Sequence, residues 1–422
     1  MRPFACLVLA LALPAAATAQ ERLLPDLRTA ARAAPRDYDA QLALGRALLD
    51  AGRFREATQA LTRAARLRRT DPAAQYEPIR VHFAEGNHQR ARAACRAIER
   101  VARDSALARV CTARAFLAWN RSGRAFEELE AALAQSPDDY EALLALGDAH
   151  RLRAAVPEAE AAYRRAIAVR PGSSEPHLGL GMLYAQANRS ADALAALRRA
   201  HELAPESPDV DYWLGRLQTG EPAVQHLRDA VANRPGWAPA LASLGDALSA
   251  SGQHQEAIGI FRQAIRADAH LASARAGLGR ALMQAGNLEE AEAALNQAVQ
   301  LVPNDAESAT ALADLFARTD RVEEAYAQYR RAADLDPRNP EPLTSAARLA
   351  VAEGRPVLAV GYLQRVLAAH PSHAPALALL GDVMRQRSDN AQARELYQRA
   401  LSGTGDVDRS AIQSALRALG VR

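Results

Sequence analysis

The stretch YEALLALGDAHRLRAAVPEAEAAYRRAIAVRPGS (Tyr140–Ser173) runs without a break into SEPHLGLGMLYAQANRSADALAALRRAHELAPES (Ser174–Ser207). Laid over one another, the two 34-residue blocks match at Gly147 and Gly181, Ala159 and Ala193, Ala166 and Ala200, and Pro171 and Pro205. Large apolar residues also coincide, Leu146 with Leu180 and Tyr163 with Leu197. A period of this length marks a chain built by stacking small supersecondary modules, each too small to bury its own apolar face.

Extended outward, the period places repeat starts at Tyr38, Pro72, Ala106, Tyr140, Ser174, Pro208, Ala238, Ala272, Ala306, Pro340 and Ala374. The sixth repeat, Pro208–Trp237, is four residues short. That is about one helical turn, and the deficit falls around Gln218–Pro222, so its first helix should be clipped. One alanine recurs in all eleven repeats: Ala57, Ala91, Ala125, Ala159, Ala193, Ala223, Ala257, Ala291, Ala325, Ala359 and Ala393. A Leu-Gly pair recurs in seven, from Leu44-Gly45 to Leu380-Gly381. Antiparallel helices approach to about 8–10 Å only where contact residues are small, which is what these positions supply. Gly52, Gly86, Gly252, Gly286 and Gly354 fall in the turn inside a repeat, and a proline commonly ends the second helix.

This pattern resembles the tetratricopeptide repeat (TPR) family, with its 34-residue pitch and Leu-Gly, Tyr, Ala and Pro positions. The resemblance covers Tyr38 to about Ser402. It implies an all-α, right-handed superhelical solenoid of about eleven helix-turn-helix units. Capping helices are expected at both ends: Gln20–Asp37, and a C-terminal cap over 406–422 in which Asp408–Leu419 turns Ile412, Leu416 and Leu419 inward. The body divides into irregular, Arg-rich repeats over 38–137 and regular ones over 138–405. The second and third repeats lack the Leu-Gly pair and carry Arg69 and Arg103 near the usual proline position.

Composition agrees. Apolar residues make up 49% of the chain and aromatics only 5%, so the core is alanine and leucine. Strand formers are sparse. All 52 basic residues are arginine; a GC-rich genome and a need for bidentate anion contacts both account for that. The net charge of +3 indicates no nucleic-acid partner. Its distribution is uneven, with 21 Arg against 11 acidic residues over 20–126.

Met1–Ala19 has the form of a secretory signal: Arg2, an apolar run over Ala5–Leu13, and Ala17-Thr18-Ala19 as the cleavage site. The run is too short to span a bilayer, and no later segment is long and apolar enough. The expectation is a periplasmic or secreted protein cut after Ala19.

No catalytic constellation, metal site or cofactor motif is legible. Gly179-Leu-Gly181 and Gly277-Leu-Gly279 lie at helix-packing positions, not in phosphate loops. His370 and His373 lack carboxylate or cysteine support, and His201 has no second histidine at metalloprotease spacing. Cys95 and Cys111 are the only thiols outside the signal; by register Cys95 faces inward from the second helix of the second repeat and Cys111 lies on the adjoining first helix of the third, and a disulfide and two buried thiols both remain open.

TPR proteins bind partner segments on their inner surface, and the residue after the Leu-Gly pair should point there. In the first three repeats it is Arg46, Arg80 and Arg114, a row with no evident acid partners. From Arg216 the sign alternates through Asp246, Arg280, Asp314, Arg348 and Asp382, a ladder of internal pairs. Leu42, Leu49, Tyr76, Phe83 and Leu117 share the face of the Arg row. An apolar groove edged by guanidinium groups suits an acidic or amphipathic segment of a protein partner, and a solvated Arg face stands beside that reading. The carboxylate clamp of some TPR proteins, which needs Lys and Asn where Leu42 or Arg46 stand, is not matched. The functional expectation is a non-enzymatic protein-interaction scaffold of a bacterial envelope, the alternative being a binder of an anionic ligand or glycan in the same groove.

Overall fold

The computed structural model describes residues 24–119 and 121–420. The signal and its cleavage site lie outside the described residues. Contacts divide the chain into two units, Met1–Pro235 and Gly236–Arg422.

The first unit opens with α1 (Leu24–Ala33), followed by paired antiparallel helices. These are α2 (Tyr38–Asp50) and α3 (Phe54–Leu67), α4 (Pro72–Ala84) and α5 (His88–Val101), α6 (Ala106–Ala118) and α7 (Ser122–Gln135). Then come α8 (Tyr140–Leu152) and α9 (Val156–Val169), α10 (Glu175–Gln186) and α11 (Ser190–Leu203), α12 (Pro208–Leu217) and α13 (Glu221–Asn233). The second unit holds α14 (Ala238–Ala250) and α15 (His254–Ala267), α16 (Ala272–Gln284) and α17 (Leu288–Leu301), α18 (Ala306–Arg318) and α19 (Val322–Leu335). It ends with α20 (Glu341–Ala352) and α21 (Pro356–Ala369), α22 (Ala374–Gln386) and α23 (Asn390–Ser402), and α24 (Arg409–Ala418). No strand occurs among the described residues. Every first helix begins at, or one residue from, the position the period assigns. None of the described helices is long and apolar enough to cross a membrane.

Local chemistry sets these boundaries. Asp37, Asp71, Ser105, Asp139 and Asp305 cap first helices by accepting hydrogen bonds from backbone N–H groups of the first turn. Among the described residues, the first helix is followed by a left-handed residue in ten of the eleven repeats. At Gly52 (φ 65°), Arg53 N–H donates to the Leu48 carbonyl at 2.8 Å and Gly52 N–H to that of Leu49 at 2.9 Å, a Schellman closure. Four repeats force a side chain into this conformation: Ala154, Asn188, Asp320 and Ser388 have φ between 56° and 64°. In α12 the helix stops at Leu217 and the chain turns at Gly220, φ 69°; this is the clipped first helix of the short repeat.

The recurrent alanines are buried in every repeat. The Gly-Leu-Gly pairs have a double use. A methyl group on Gly147 or on Gly179 would come within 2.5 Å of the Tyr163 ring, and one on Gly181 within 2.5 Å of Leu197. Tyr163 of α9 is therefore clasped between its own repeat's first helix and the next one. Gly245 and Gly277 clasp Phe261 in the same way.

The least regular repeats differ in detail. Pro78 lies inside α4, where it has no N–H for the preceding turn. Cys95 of α5 and Cys111 of α6 are both wholly buried and are joined as a disulfide, Cα–Cα 5.7 Å. At the other end α24 turns Ile412 and Leu416 into the stack.

Candidate functional site

Arg46, Arg80 and Arg114 project from α2, α4 and α6 onto one face of the first unit, but not as a free row. Each meets a carboxylate. Arg46 Nε donates to Glu77 Oε1 at 3.1 Å, and its Nη2 pairs with the same oxygen. Arg80 reaches Glu77 at 3.2 Å, Glu141 at 3.8 Å and Glu175 at 2.5 Å. Arg114 pairs with Glu141 at 3.2 Å. The expectation that the row lacks acid partners is thus overturned. Glu141 of α8 and Glu175 of α10 come from repeats that the row does not include, brought in by the stacking.

Burial gives this network its character. Arg80 is only 7% exposed, and Glu77 and Glu141 are 6% exposed. Burial opposes ionisation of Glu175, yet Arg80, Arg114 and a 2.9 Å hydrogen bond from Tyr140 outweigh it and bring the carboxyl down to about 2. Burial likewise opposes the Arg80 charge, and Glu141, Glu175 and Glu77 more than restore it. Three cations therefore stand against three carboxylates, and Arg170 adds a weaker contact to Glu141 at 3.5 Å. Asp50, at the end of α2, has no hydrogen-bond or ion-pair partner among the described residues. Burial, and next the Glu175 charge, push its carboxyl up to about 7 against the pull of Arg80 and Arg46.

The apolar members of the expected groove are mostly spent on packing. Tyr76 and Leu49 are buried; Leu42, Phe83 and Leu117 are half-buried against core clusters. The Tyr76 hydroxyl is buried without a partner, and burial raises its pKa. In the second unit only part of the alternating ladder forms. Asp246 pairs with Arg280 at 3.1 Å, and Arg280 also with Glu307 at 2.6 Å. Asp314 and Asp382 instead accept hydrogen bonds from Tyr329 and Tyr397 at 2.6 Å, as Asp148 does from Tyr163 at 2.8 Å. Arg348 donates to Ser345 Oγ at 2.8 Å.

Unmatched positive charge lies elsewhere, and part of it flanks two clefts. Arg55 and Arg63 of α3 are exposed, stand two helical turns apart with Gln59 between them, and make no ion pair among the described residues. Exposed Arg32 of α1 is likewise without one. Two clefts of the first unit flank this stripe. One, of about 700 Å³, is bounded by Gly52–Glu56, Gln59, Glu206 and Asn233–Pro235. The other, of about 500 Å³, lies between α1 and α3 and is bounded by Arg28, Arg32, Leu44, Glu56, Gln59 and Arg63. In the first, Arg234 is held by Asp209 at 2.5 Å and lies over the Phe54 ring at 5.0 Å. Sequence reasoning registered the Arg excess here but not this placement, because it followed the first helices only.

Comparisons with known proteins agree with this architecture. Tetratricopeptide repeat family models match residues 24–72, 42–106 and 112–176, and a second such model matches 153–217. The model of the cilia and flagella-associated protein 70 C-terminal domain matches 216–416. No curated protein matches the sequence. Among solved structures, yeast Tom70 aligns at a TM-score of 0.52 and 12% identity, over 92% of this chain and 96% of that one. TTC0263, a thermophilic TPR protein of Thermus thermophilus, aligns at 0.39 and 26% identity, over 42% of this chain and all of that one. Pseudomonas aeruginosa PilF aligns at 0.41 and 21% identity, over 51% and 97%. With its 34-residue pitch, its buried small residues and these matches, the chain belongs to the tetratricopeptide repeat family.

Proposed function

We propose that this protein is a non-enzymatic interaction scaffold of a bacterial envelope, exported by residues 1–19, that takes an acidic segment of a protein partner on the outer face of α3. The repeat fold supports the general role, since stacked helix pairs of this family form extended surfaces for protein partners. The observation that carries the particular reading is the contrast between two sets of arginines. Arg46, Arg80 and Arg114 are each neutralised by carboxylates, with Arg80 buried, Arg114 half-buried and Arg46 partly exposed. Arg55, Arg63 and Arg32 are exposed and unmatched beside two clefts. Guanidinium groups in that state favour carboxylates, and a flanking cleft gives apolar side chains of an amphipathic segment somewhere to lie.

The test is direct. A fluorescent amphipathic peptide rich in Glu should bind the mature chain, and charge reversal at Arg55 and Arg63 should weaken it about tenfold or more, by roughly 1 kcal/mol per lost contact. Binding should weaken further with added salt. Arg46→Gln, in the matched row, is the contrast: equal losses there would return the site to the inner face. Displacement by an acidic oligosaccharide but not by the peptide would favour a glycan.

A further inference from the structure

At the junction of the fifth and sixth repeats lies a cluster that the interaction surface does not use. His201 comes from α11, Asp211 from α12 and His226 from α13, and their ligating atoms all lie within 4.8 Å of one another. His226 Nδ1 is 3.0 Å and His201 Nδ1 is 3.2 Å from one and the same oxygen, Asp211 Oδ1. The two imidazole rings stand edge to face with centroids 5.5 Å apart.

What makes this more than a hydrogen-bonded trio is what it leaves undone. Asp211 is 0% exposed, and its second oxygen, Oδ2, is buried with no hydrogen-bond partner. His201 Nδ1 is also buried, and although close to Oδ1 it is not aligned to donate to it. Among the described residues no arginine pairs with Asp211; its ion-pair partners are the two histidines. A wholly buried carboxylate without a permanent cation is costly, and an imidazole supplies one only when it is protonated.

We propose that His201, Asp211 and His226 form a binding site for a late first-row divalent cation, Zn²⁺ foremost. Bonds of about 2.0–2.1 Å from Zn²⁺ to imidazole nitrogen and carboxylate oxygen set tetrahedral neighbours about 3.3 Å apart. The two separations from the carboxylate oxygen, 3.0 and 3.2 Å, are close to that, and all three ligand atoms lie within 4.8 Å of one another, so the rings must readjust about the carboxylate as the ion enters. Two nitrogens and one oxygen suit Zn²⁺ and disfavour Mg²⁺ and Ca²⁺, which take oxygen ligands. The His201 and His226 side chains are 36% and 23% exposed, which gives the rings room to readjust. The ion would tie α11, α12 and α13 together where the first helix of the repeat is clipped. This site stands independently of the acidic-partner surface.

The experiment titrates tag-free, EDTA-stripped protein with ZnCl₂ by calorimetry and with CoCl₂ by visible absorption. One Zn²⁺ per chain at micromolar affinity or tighter is expected, with a four-coordinate Co²⁺ spectrum and a thermal midpoint that rises with Zn²⁺ and falls back with EDTA. His201→Gln and His226→Gln should each weaken binding by about 100-fold or more, and His254→Gln should leave it unchanged. The histidines are chosen because they are partly exposed, and circular dichroism checks that the variants fold. Absence of stoichiometric binding in the folded wild type, or unchanged binding in the folded double variant, overturns the site.

Discussion

Replacing Asp50 with asparagine should stabilise the first unit at alkaline pH and do nothing at pH 4. In the folded chain Asp50 keeps its proton up to about 7, whereas the unfolded chain releases it near 3.8. Between those values the native state binds the extra proton, so stability falls as pH rises, and the whole penalty is present above pH 7. At about 1.4 kcal/mol per pH unit that window, 3.8 to about 7, sets a ceiling of roughly 4 kcal/mol. Asp50 retains some solvent contact, so screening reduces the expected gain to about 1–3 kcal/mol. For a unit of this size that is a rise of about 2–4 °C in Tm per kcal/mol. Asparagine carries no charge at any pH and lacks the penalty. Urea unfolding followed by tryptophan fluorescence in a Trp237→Phe background leaves reporters in the first unit alone, Trp119 and Trp213. The Asp50→Asn advantage should be full at pH 8 and should vanish as pH approaches 4. A pH-independent difference, or a loss of stability at pH 8, would refute the reasoning. Glu175 works in the opposite sense: its carboxyl is lowered to about 2, so its contribution is complete above about 4.5 and lost as pH falls toward 2. Asp50→Asn should therefore keep the acid limb of the wild-type profile and lose only the neutral one.

Other consequences follow from the packing. Arg80→Met should cost about 3–5 kcal/mol, because it leaves Glu77, Glu141 and Glu175 without their shared cation; an unchanged urea midpoint would show that the network is not buried. Ala154→Gly relieves a left-handed side chain at φ 56° and should raise stability by about 0.5–1 kcal/mol net of the glycine's added chain entropy, read as a higher thermal midpoint. Gly179→Ala should destabilise by about 1–3 kcal/mol because its methyl meets the Tyr163 ring, whereas Gly361→Ala, with open space around it, should be neutral or mildly stabilising. Reducing the Cys95–Cys111 bridge, which closes a separation of 16 residues, should cost about 3 kcal/mol; titration of two free thiols in the denatured, unreduced protein would remove the bridge altogether.

How much of this was legible in the sequence depends on which contacts the repeat preserves. Helix starts, the buried alanines and the Gly–Tyr163 clasp recur at a fixed offset, so one repeat teaches the rest. The charged partners obey a period too, but a different one. Arg114 finds Glu141 and Arg280 finds Glu307, each 27 residues on: the position after Leu-Gly in one repeat meets the second residue of the next repeat's first helix. Reading the Arg row by itself misses this, because its acids sit at another position of the module. Arg80 shows why even the correct offset is insufficient. Leu107 occupies the residue 27 positions on, and Arg80 instead reaches Glu175, at a separation of 95, which is the same offset plus two further repeats. Only the curvature of the stack brings those side chains together, and curvature is a sum of small rotations that no single repeat encodes. The Tyr–Asp pairs show the same logic inside one repeat. Where the second helix offers Tyr163, Tyr329 or Tyr397, the aspartate 15 residues earlier bonds to it. Where it offers Phe261, Asp246 is left for Arg280 of the following repeat. The face that looked like a free anion site is therefore a consequence of side-chain choices two helices away. Part of the charge left over lies on α3, where no acid stands at either offset from Arg55 or Arg63. The residues 27 positions beyond Arg55 and Arg63 are His82 and Arg90, and those 15 positions before them are Ala40 and Leu48, so neither guanidinium finds a carboxylate by the rules that neutralise the inner row.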